Sequence, residues 1–293
     1  MTARAWRRRV RSVVRTGAVY LAVVAIVVVV LGPLAWATIS SVSPQVELLE
    51  VPPHWFPRAP TLSGYTDLLH PTASGLMPAV YAFRRSLGNT LAVSAVTTLV
   101  CLVMGAIAAY AFARLQFAGK RSIYNLVVFT QMLPTVALII PLYILLVRMG
   151  LADTLLGLVL VYASFTLPFV IWVMRGYFQT IPRELEDAAR VDGCSRLGAL
   201  ARVIVPVSAP GFVATGTFAF LGAWGEFLLP VVLTSTPRAE PLTVIISQFS
   251  GVYNIDYRLM TTAGVLTALP PVILALVFSE RLISGLTEGG VKG

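Results

Sequence analysis

Glu226, in the stretch "AWGEF", is the only acid inside a long apolar block of this sequence. An ionisable group in such a setting is costly unless it faces a cavity or a partner. The carboxylate could line a polar path for a solute, with Trp224 and Phe220 offering ring faces beside it. It could equally hydrogen-bond a neighbouring helix and hold a bundle together, and both readings stay open. The other reactive side chains support no catalysis. Cys101 lies in an apolar block and Cys194 in a charged segment, which is neither a disulfide framework nor metal spacing. His54 and His70 stand alone, and no paired carboxylates or His–acid set appear that would serve a membrane enzyme. "FAGKRS" (117–122) ends like a phosphate loop, but that pattern needs Gly at 114 and Ser or Thr at 121. Both positions are Arg, so the chain has no nucleotide site of its own.

One charged segment interrupts the apolar sequence, "IPRELEDAARVDGCSRLGALARVIVP" at 181–206. Pro182 suits a first helical position, and Glu184, Glu186 and Asp187 suit the positive end of a helix dipole. Glu186 and Arg190 are spaced for an i,i+4 pair. Leu185, Ala188 and Ala189 share one face, and Gly193 supplies the left-handed stop that helices commonly need. A helix of about three turns follows, with a face small enough for close approach by a partner. The competing reading is a solvated helix that only connects two spans.

These residues must be positioned by elements made for lipid. The chain is 57% hydrophobic and 12% charged, with too little charge to cover a soluble domain of 293 residues. Six apolar stretches are long enough to cross a bilayer, near 17–39, 87–113, 122–147, 154–176, 207–235 and 259–284. The first outlasts a secretory h-region and is read as an uncleaved anchor. Nothing alternates with period two, so helices rather than a barrel are expected. With the N-terminus inside, the inner segments hold Arg4, Arg7, Arg8, Arg9, Arg11, Arg15, Arg114, Lys120 and Arg121. They also hold Arg175, Arg183, Arg190, Arg196, Arg202, Arg281 and Lys292, altogether sixteen of the 22 basic residues. The positive-inside rule then puts both termini and loop 177–206 in the cytoplasm. The net charge of +9 follows from topology, and no basic face with interleaved aromatics suggests nucleic acid. The basic residues 1–16 would meet anionic headgroups. Arg84 and Arg85 would anchor the outer end of the second span. Residues 40–86, with "VPPHWFPRAP", read as a Pro-rigidified external loop rather than a second domain.

The segment at 181–206 resembles the EAA loop of permease subunits of binding-protein-dependent ABC importers. That loop has Glu-Ala-Ala, three residues, Gly, nine residues, then Ile-x-Leu-Pro. Here stand Asp187-Ala188-Ala189, then Gly193, then Val203-Ile204-Val205-Pro206, with the spacing kept and three conservative departures. "AAYAFARLQFAGKRS" (108–122), "PLYILLVRMGLADT" (141–154) and "GAWGEFLLPVVL" (222–233) are similar to the corresponding segments of sugar-importer permeases. "GLTEGGVKG" (285–293) is similar to the C-terminus of the MalG-like carbohydrate group. The resemblance implies an all-α membrane protein of six transmembrane helices with the type I importer fold and a cytoplasmic coupling helix. It implies an inner-membrane location and ATPase coupling through Glu186, Asp187, Ala188, Ala189, Asp192, Gly193 and Pro206. It further implies a second permease subunit, an ATP-binding subunit dimer and an extracytoplasmic solute-binding protein. ATP and Mg would be bound by the partner, with no cofactor in this chain. The cargo would be a carbohydrate, a di- or oligosaccharide; a polyol or glycerol phosphate is the alternative within the family. Gly289 and Gly290 mark a tail that would contact the ATPase. An ion-coupled secondary transporter is the remote alternative, since one buried acid offers few proton sites and no inverted repeat shows.

Pro134 and the Pro270–Pro271 pair are the best positioned of the span prolines to kink a helix, which transporters tolerate where a cavity is lined.

Overall fold

Amid lipid tails a backbone satisfies its N–H and C=O groups only by closing hydrogen bonds within itself, and the apolar stretches here all fold as helix. The computed structural model describes residues 3–52, 54–71, 78–250 and 255–290, with side chains for 14–52, 54–71, 78–250 and 255–279. In chain order the first helices are α1 (Ala3–Ser41), α2 (Gln45–Leu48), α3 (Ser63–Leu69), α4 (Pro78–Arg114) and α5 (Lys120–Phe129). A 3-10 turn (Thr130–Met132) leads to α6 (Thr135–Arg148), α7 (Leu155–Thr180), α8 (Arg183–Val191) and α9 (Arg196–Ala199). A π-helical turn (Leu200–Ile204) then precedes α10 (Val205–Val207), α11 (Ala209–Trp224), α12 (Leu228–Leu233), α13 (Leu242–Ser247) and α14 (Tyr257–Gly290).

Among the described residues four helices are long and apolar enough to cross a membrane, at Val14–Ser41, Pro78–Arg114, Leu155–Thr180 and Tyr257–Ser279, and the number rises to six if two bent pairs each count as one span. The expected third span, 122–147, is not one helix: Lys120–Met132 and Thr135–Arg148 meet at 100°. Pro134 stands in the break, where it cannot donate a backbone hydrogen bond and its extended conformation (φ −68°, ψ 119°) ends the turn. The expected fifth span, 207–235, also breaks. Arg196–Val207 and Ala209–Trp224 are bent by 83°, and α11 stops at Gly225. Pro270 and Pro271, by contrast, lie within a continuous α14. The helices outrun the expected spans at several ends, since propensity carries α1 back to Ala3 and α14 on to Gly290. The side chains of Arg4, Arg7, Arg8, Arg9, Arg11 and Arg281, Gly289, Gly290 and all of 291–293 lie outside the described residues.

The chain divides into two compact units, residues 1–77 with 249–266, and 78–248 with 267–293. In the first unit Gln45, Ser63 and Asp67 are tied to the start of α14. Arg258 donates to Asp67 Oδ2 (3.0 Å) and to Ser63, and Gln45 Nε2 donates to the Ile255 carbonyl (2.8 Å). A Cβ at Gly64 would lie 2.5 Å from Thr262 Oγ1, so only glycine lets α3 approach α14 there.

In the second unit α4 packs along α7 and α11. Small residues permit the approach: a Cβ at Gly105 would lie 2.5 Å from Val170 Cγ1, with Ala106, Ala109 and Ala113 continuing the stripe. Met174, Phe178, Ile181, Leu200 and Ile204 close this core beneath α8. At the opposite end Asn89 donates to the carbonyls of Pro237, Arg238 and Glu240, and Asp153 gathers the loop after α12. Asp153 accepts from Ser235 N–H (3.0 Å), Thr236 N–H (3.2 Å) and Thr236 Oγ1 (2.6 Å). Burial alone would raise the Asp153 carboxyl, but these hydrogen bonds outweigh it and hold the carboxyl below its ordinary value. A lowered folded value stabilises fully above the ordinary aspartate pKa of about 3.9, and that stabilisation is lost as pH falls through the folded value. Protection of the Ser235 and Thr236 amides against hydrogen exchange, relative to the intrinsic rate at each pH, is accordingly expected to fall in acid below about pH 4 and to be lost at neutral pH in Asp153→Ala, with a stability loss of about 1 kcal/mol. Protection unchanged by either treatment would remove Asp153 from the loop's support.

Candidate functional site

The charged segment folds outside the spans as expected, with α8 two and a half turns long. Pro182 (φ −55°, ψ 138°) is the capping residue and not the first helical one, a shift of one position from the sequence expectation. Glu184 and Glu186 occupy the first turn and Arg190 the last, each suited to the dipole end it meets. Gly193 adopts φ +89°. Its N–H reaches the Arg190 carbonyl (3.1 Å) while Cys194 N–H reaches the Ala189 carbonyl (3.0 Å), the paired bonds of a Schellman stop. Ser195 then caps α9 by accepting from Gly198 N–H (3.1 Å), and the π-helical turn and α10, which carries Pro206, lead into the 83° bend.

One face of α8 is fixed inward. Glu186 is 8% exposed and Ala189, three residues on, is buried beside it. The Tyr110 hydroxyl donates to Glu186 Oε1 (2.5 Å), and Arg114 Nε lies 3.4 Å from Oε2. Arg114 also donates through Nη2 to the Ile181 carbonyl (2.7 Å). The end of α4 thus holds both the entry to α8 and its middle. This overturns two local expectations. Glu186 pairs across to α4 and not along its own helix to Arg190. Leu185, Ala188 and Ala189 do not share a fate either: Ala189 points in, while Leu185 and Ala188 are exposed. The free face therefore reads Leu185, Ala188 and Val191, with Val191 87% exposed. Asp187, Asp192 and Gly193 are also exposed. Beside α8 lies a cleft of about 290 Å³ in which Arg114, Arg183, Arg190 and Arg196 surround Glu186 and Asp187.

Tyr110 and Arg114 escaped the sequence argument as site residues. Their signal was present: they stand at i and i+4 near the end of a long apolar helix, inside a segment singled out for its resemblance.

Glu226 lies in the break between α11 and α12, where Oε1 accepts from Leu229 N–H (3.1 Å) and its carbonyl accepts from Thr243 Oγ1 (2.7 Å). It caps a short helix. Trp224 is buried, donates through Nε1 to the Thr267 carbonyl (3.1 Å), and stacks on Phe220 at 5.5 Å between ring centroids. Phe220 and Glu226 are half-buried.

Residues 101–287 match the family described as binding-protein-dependent transport system inner membrane component. The chain is 35% identical over 261 residues to a sulfoquinovosyl glycerol transport system permease protein of Agrobacterium fabrum, covering 89% of this chain and 88% of the relative. It is 37% identical over 213 residues to a trehalose transport system permease protein of Mycobacterium tuberculosis, covering 72% and 78%. A diacetylchitobiose uptake system permease protein of Streptomyces coelicolor is 30% identical over 264 residues, covering 89% and 91%. Among solved structures, a chain of a bacterial ABC transporter that imports the acidic polysaccharide alginate superposes with a TM-score of 0.77 at 22% identity, covering 96% of this chain and 98% of that one.

Proposed function

The chain belongs to the family of binding-protein-dependent transport system inner membrane components, a multi-pass membrane subunit of an ABC importer that is not itself an enzyme; from that premise we propose that it forms half of a sugar path and takes its power through α8. The cargo is a di- or oligosaccharide, in keeping with relatives named for trehalose and diacetylchitobiose transport. The observation that carries the coupling role is the two-sidedness of α8: Glu186 anchors one face to α4, while Leu185, Ala188 and Val191 offer an apolar face left exposed by the described residues.

An ATP-binding subunit dimer holding ATP and Mg docks on that face, with Asp187 and Asp192 at its border and the arginine-lined cleft beside it. Gly193 ends the helix, and the π-helical turn with Pro206 hands the motion on to α11. A second permease subunit completes the path, and a solute-binding protein delivers the sugar at the other face. Closure of the ATPases then moves α8 as a rigid lever, and the spans rock between two openings. Both termini and α8 are cytoplasmic in the inner membrane, in keeping with the distribution of Arg and Lys. Gly289 and Gly290, at the end of α14, reach toward the ATPases.

The substrate class is tested by reconstituting the importer with its binding protein and a panel of sugars, polyols and glycerol phosphate. Uptake and ATP hydrolysis stimulated by a di- or oligosaccharide are expected; stimulation by a polyol alone overturns the carbohydrate assignment.

Glu226 joins the path through the oxygen that does not cap α12. Glu226→Gln keeps an acceptor for Leu229 N–H, so the cap survives and the complex is expected at normal yield. Uptake is expected to fall about tenfold, the scale of one charge-assisted hydrogen bond. Normal uptake in this variant would leave Glu226 with the cap alone.

A further inference from the structure

On the face that carries α8, three helix ends of the second unit come together. α4 ends at Arg114, α5 begins at Lys120, and α7 carries Arg175 five residues before its end at Thr180. Between them lies a cavity of about 620 Å³. Its cations are Lys120, Arg121 and Arg175, its floor is Phe112, Phe117 and Tyr124, and among the described residues no carboxylate lines it. The floor is a ring cluster, with Phe112 centred 6.0 Å from Phe117 and 5.4 Å from Tyr124.

Arg175 lays its guanidinium over Tyr124, 4.1 Å from the ring centroid, and its Nε is buried with no hydrogen-bond partner. A charged donor removed from water costs free energy unless something accepts from it. Lys120 gives one hydrogen bond to the Leu115 carbonyl (2.7 Å), which leaves further ammonium protons for another acceptor. Three cations around one space repel each other, and an anion placed among them would relieve both the repulsion and the unpaired Nε. Depth says which anion. Arg175 lies about 7 Å inside the end of α7 at 1.5 Å per residue, where the spans leave the hydrocarbon for the headgroup layer. An aromatic floor beneath cations suits a group that is charged at one end and apolar at the other.

We propose that this cavity binds one phosphate-bearing anion, the phosphodiester of an anionic lipid headgroup, with Arg175 and Lys120 as its donors. Its lining includes none of Leu185, Ala188 and Val191, the exposed apolar residues of α8, and it does not depend on which sugar is carried.

The test uses the assembled importer in nanodiscs of phosphatidylcholine with or without phosphatidylglycerol, followed by stepwise delipidation and native mass spectrometry. Phosphatidylglycerol is expected to stay bound after phosphatidylcholine has been stripped. Lys120→Gln combined with Arg175→Gln is expected to weaken its retention roughly 30-fold, on the scale of two headgroup-facing cations. Inorganic phosphate separates the two sources of this chemistry. Phosphatidylglycerol that phosphate does not displace identifies a lipid site. Phosphate that raises the melting temperature in pure phosphatidylcholine, and does so only with Lys120 and Arg175 intact, identifies a free anion in the same cavity. Should the double variant fail to assemble, Arg121→Gln at the exposed rim is expected to give about a fivefold loss of retention. Retention that ignores headgroup charge or ignores these substitutions, with no protection by phosphate, overturns the proposal.

Discussion

Glu186→Ala is expected to abolish uptake and to release the ATPase subunits from the purified complex. The reason is what it leaves behind. The Arg114 and Glu186 side chains are 6% and 11% exposed, so the alanine variant leaves a mostly buried guanidinium with the Ile181 carbonyl as its remaining acceptor. Breaking a buried pair from one side costs about 3–5 kcal/mol, and the loss falls on the two contacts that seat α8 on α4. The helix would still form, since its stop and its dipole charges remain; its position would not. A paired control separates charge from packing. Glu186→Met together with Arg114→Met removes both charges at similar volume, and is expected to recover a large part of ATPase association that either single change loses. Tyr110→Phe removes only the hydroxyl and is expected to cost about 1–2 kcal/mol, a partial loss. Association undiminished in Glu186→Ala would mean that α8 is held by its backbone connections alone.

Much of this site can be read from residue types and spacing, and the part that cannot has a common cause. Helix α8, its acidic start and the stop at Gly193 follow from local rules, because capping, dipole and left-handed glycine are decided within a turn of chain. The partner of Glu186 is not local. An i,i+4 arginine stands ready at Arg190, yet the carboxylate turns inward to Tyr110 and Arg114, which are 76 and 72 positions away along the chain. Burial of that face decides the choice, and burial belongs to the packing of α4 on α7. The same limit explains the spans. Hydropathy finds apolar stretches of the right length but is blind to direction, so the breaks at Pro134 and at Val207 to Ala209 do not show in it. Proline marked the first of these in advance. The second falls at Ser208, whose hydroxyl donates to the Ile204 carbonyl; it follows a π-helical turn that no residue type announces. Glu226 is the mirror case: its isolation in an apolar block is plain in the sequence, but its use as a helix cap depends on α11 stopping at Gly225.

Gly193→Val is expected to leave insertion and complex yield near normal while stimulation of ATP hydrolysis by loaded binding protein disappears. The cause is conformational and can be isolated from crowding. A Cβ built at Gly193 meets no atom within 4 Å, so any residue has room there; the obstacle is φ +89° itself. A β-branched side chain is especially poor in that region, at a cost of about 2 kcal/mol or more. The chain would escape by unwinding the last turn, giving up the bonds from Gly193 and Cys194 to the carbonyls of Arg190 and Ala189. Val191 and Ala188 would then lose their place on the free face, and the π-helical turn would no longer follow from a fixed point. Because space is open, a graded series reads the backbone term directly: Gly193→Asn, which tolerates the left-handed region, is expected to retain most uptake, Gly193→Ala less, and Gly193→Val least. Uptake that is equal across the three, or that falls with side-chain volume in place of left-handed preference, would mean the Schellman stop does not transmit the motion of α8. The ordering, more than the size of any single loss, ties the sequence Asp192-Gly193 to force transfer.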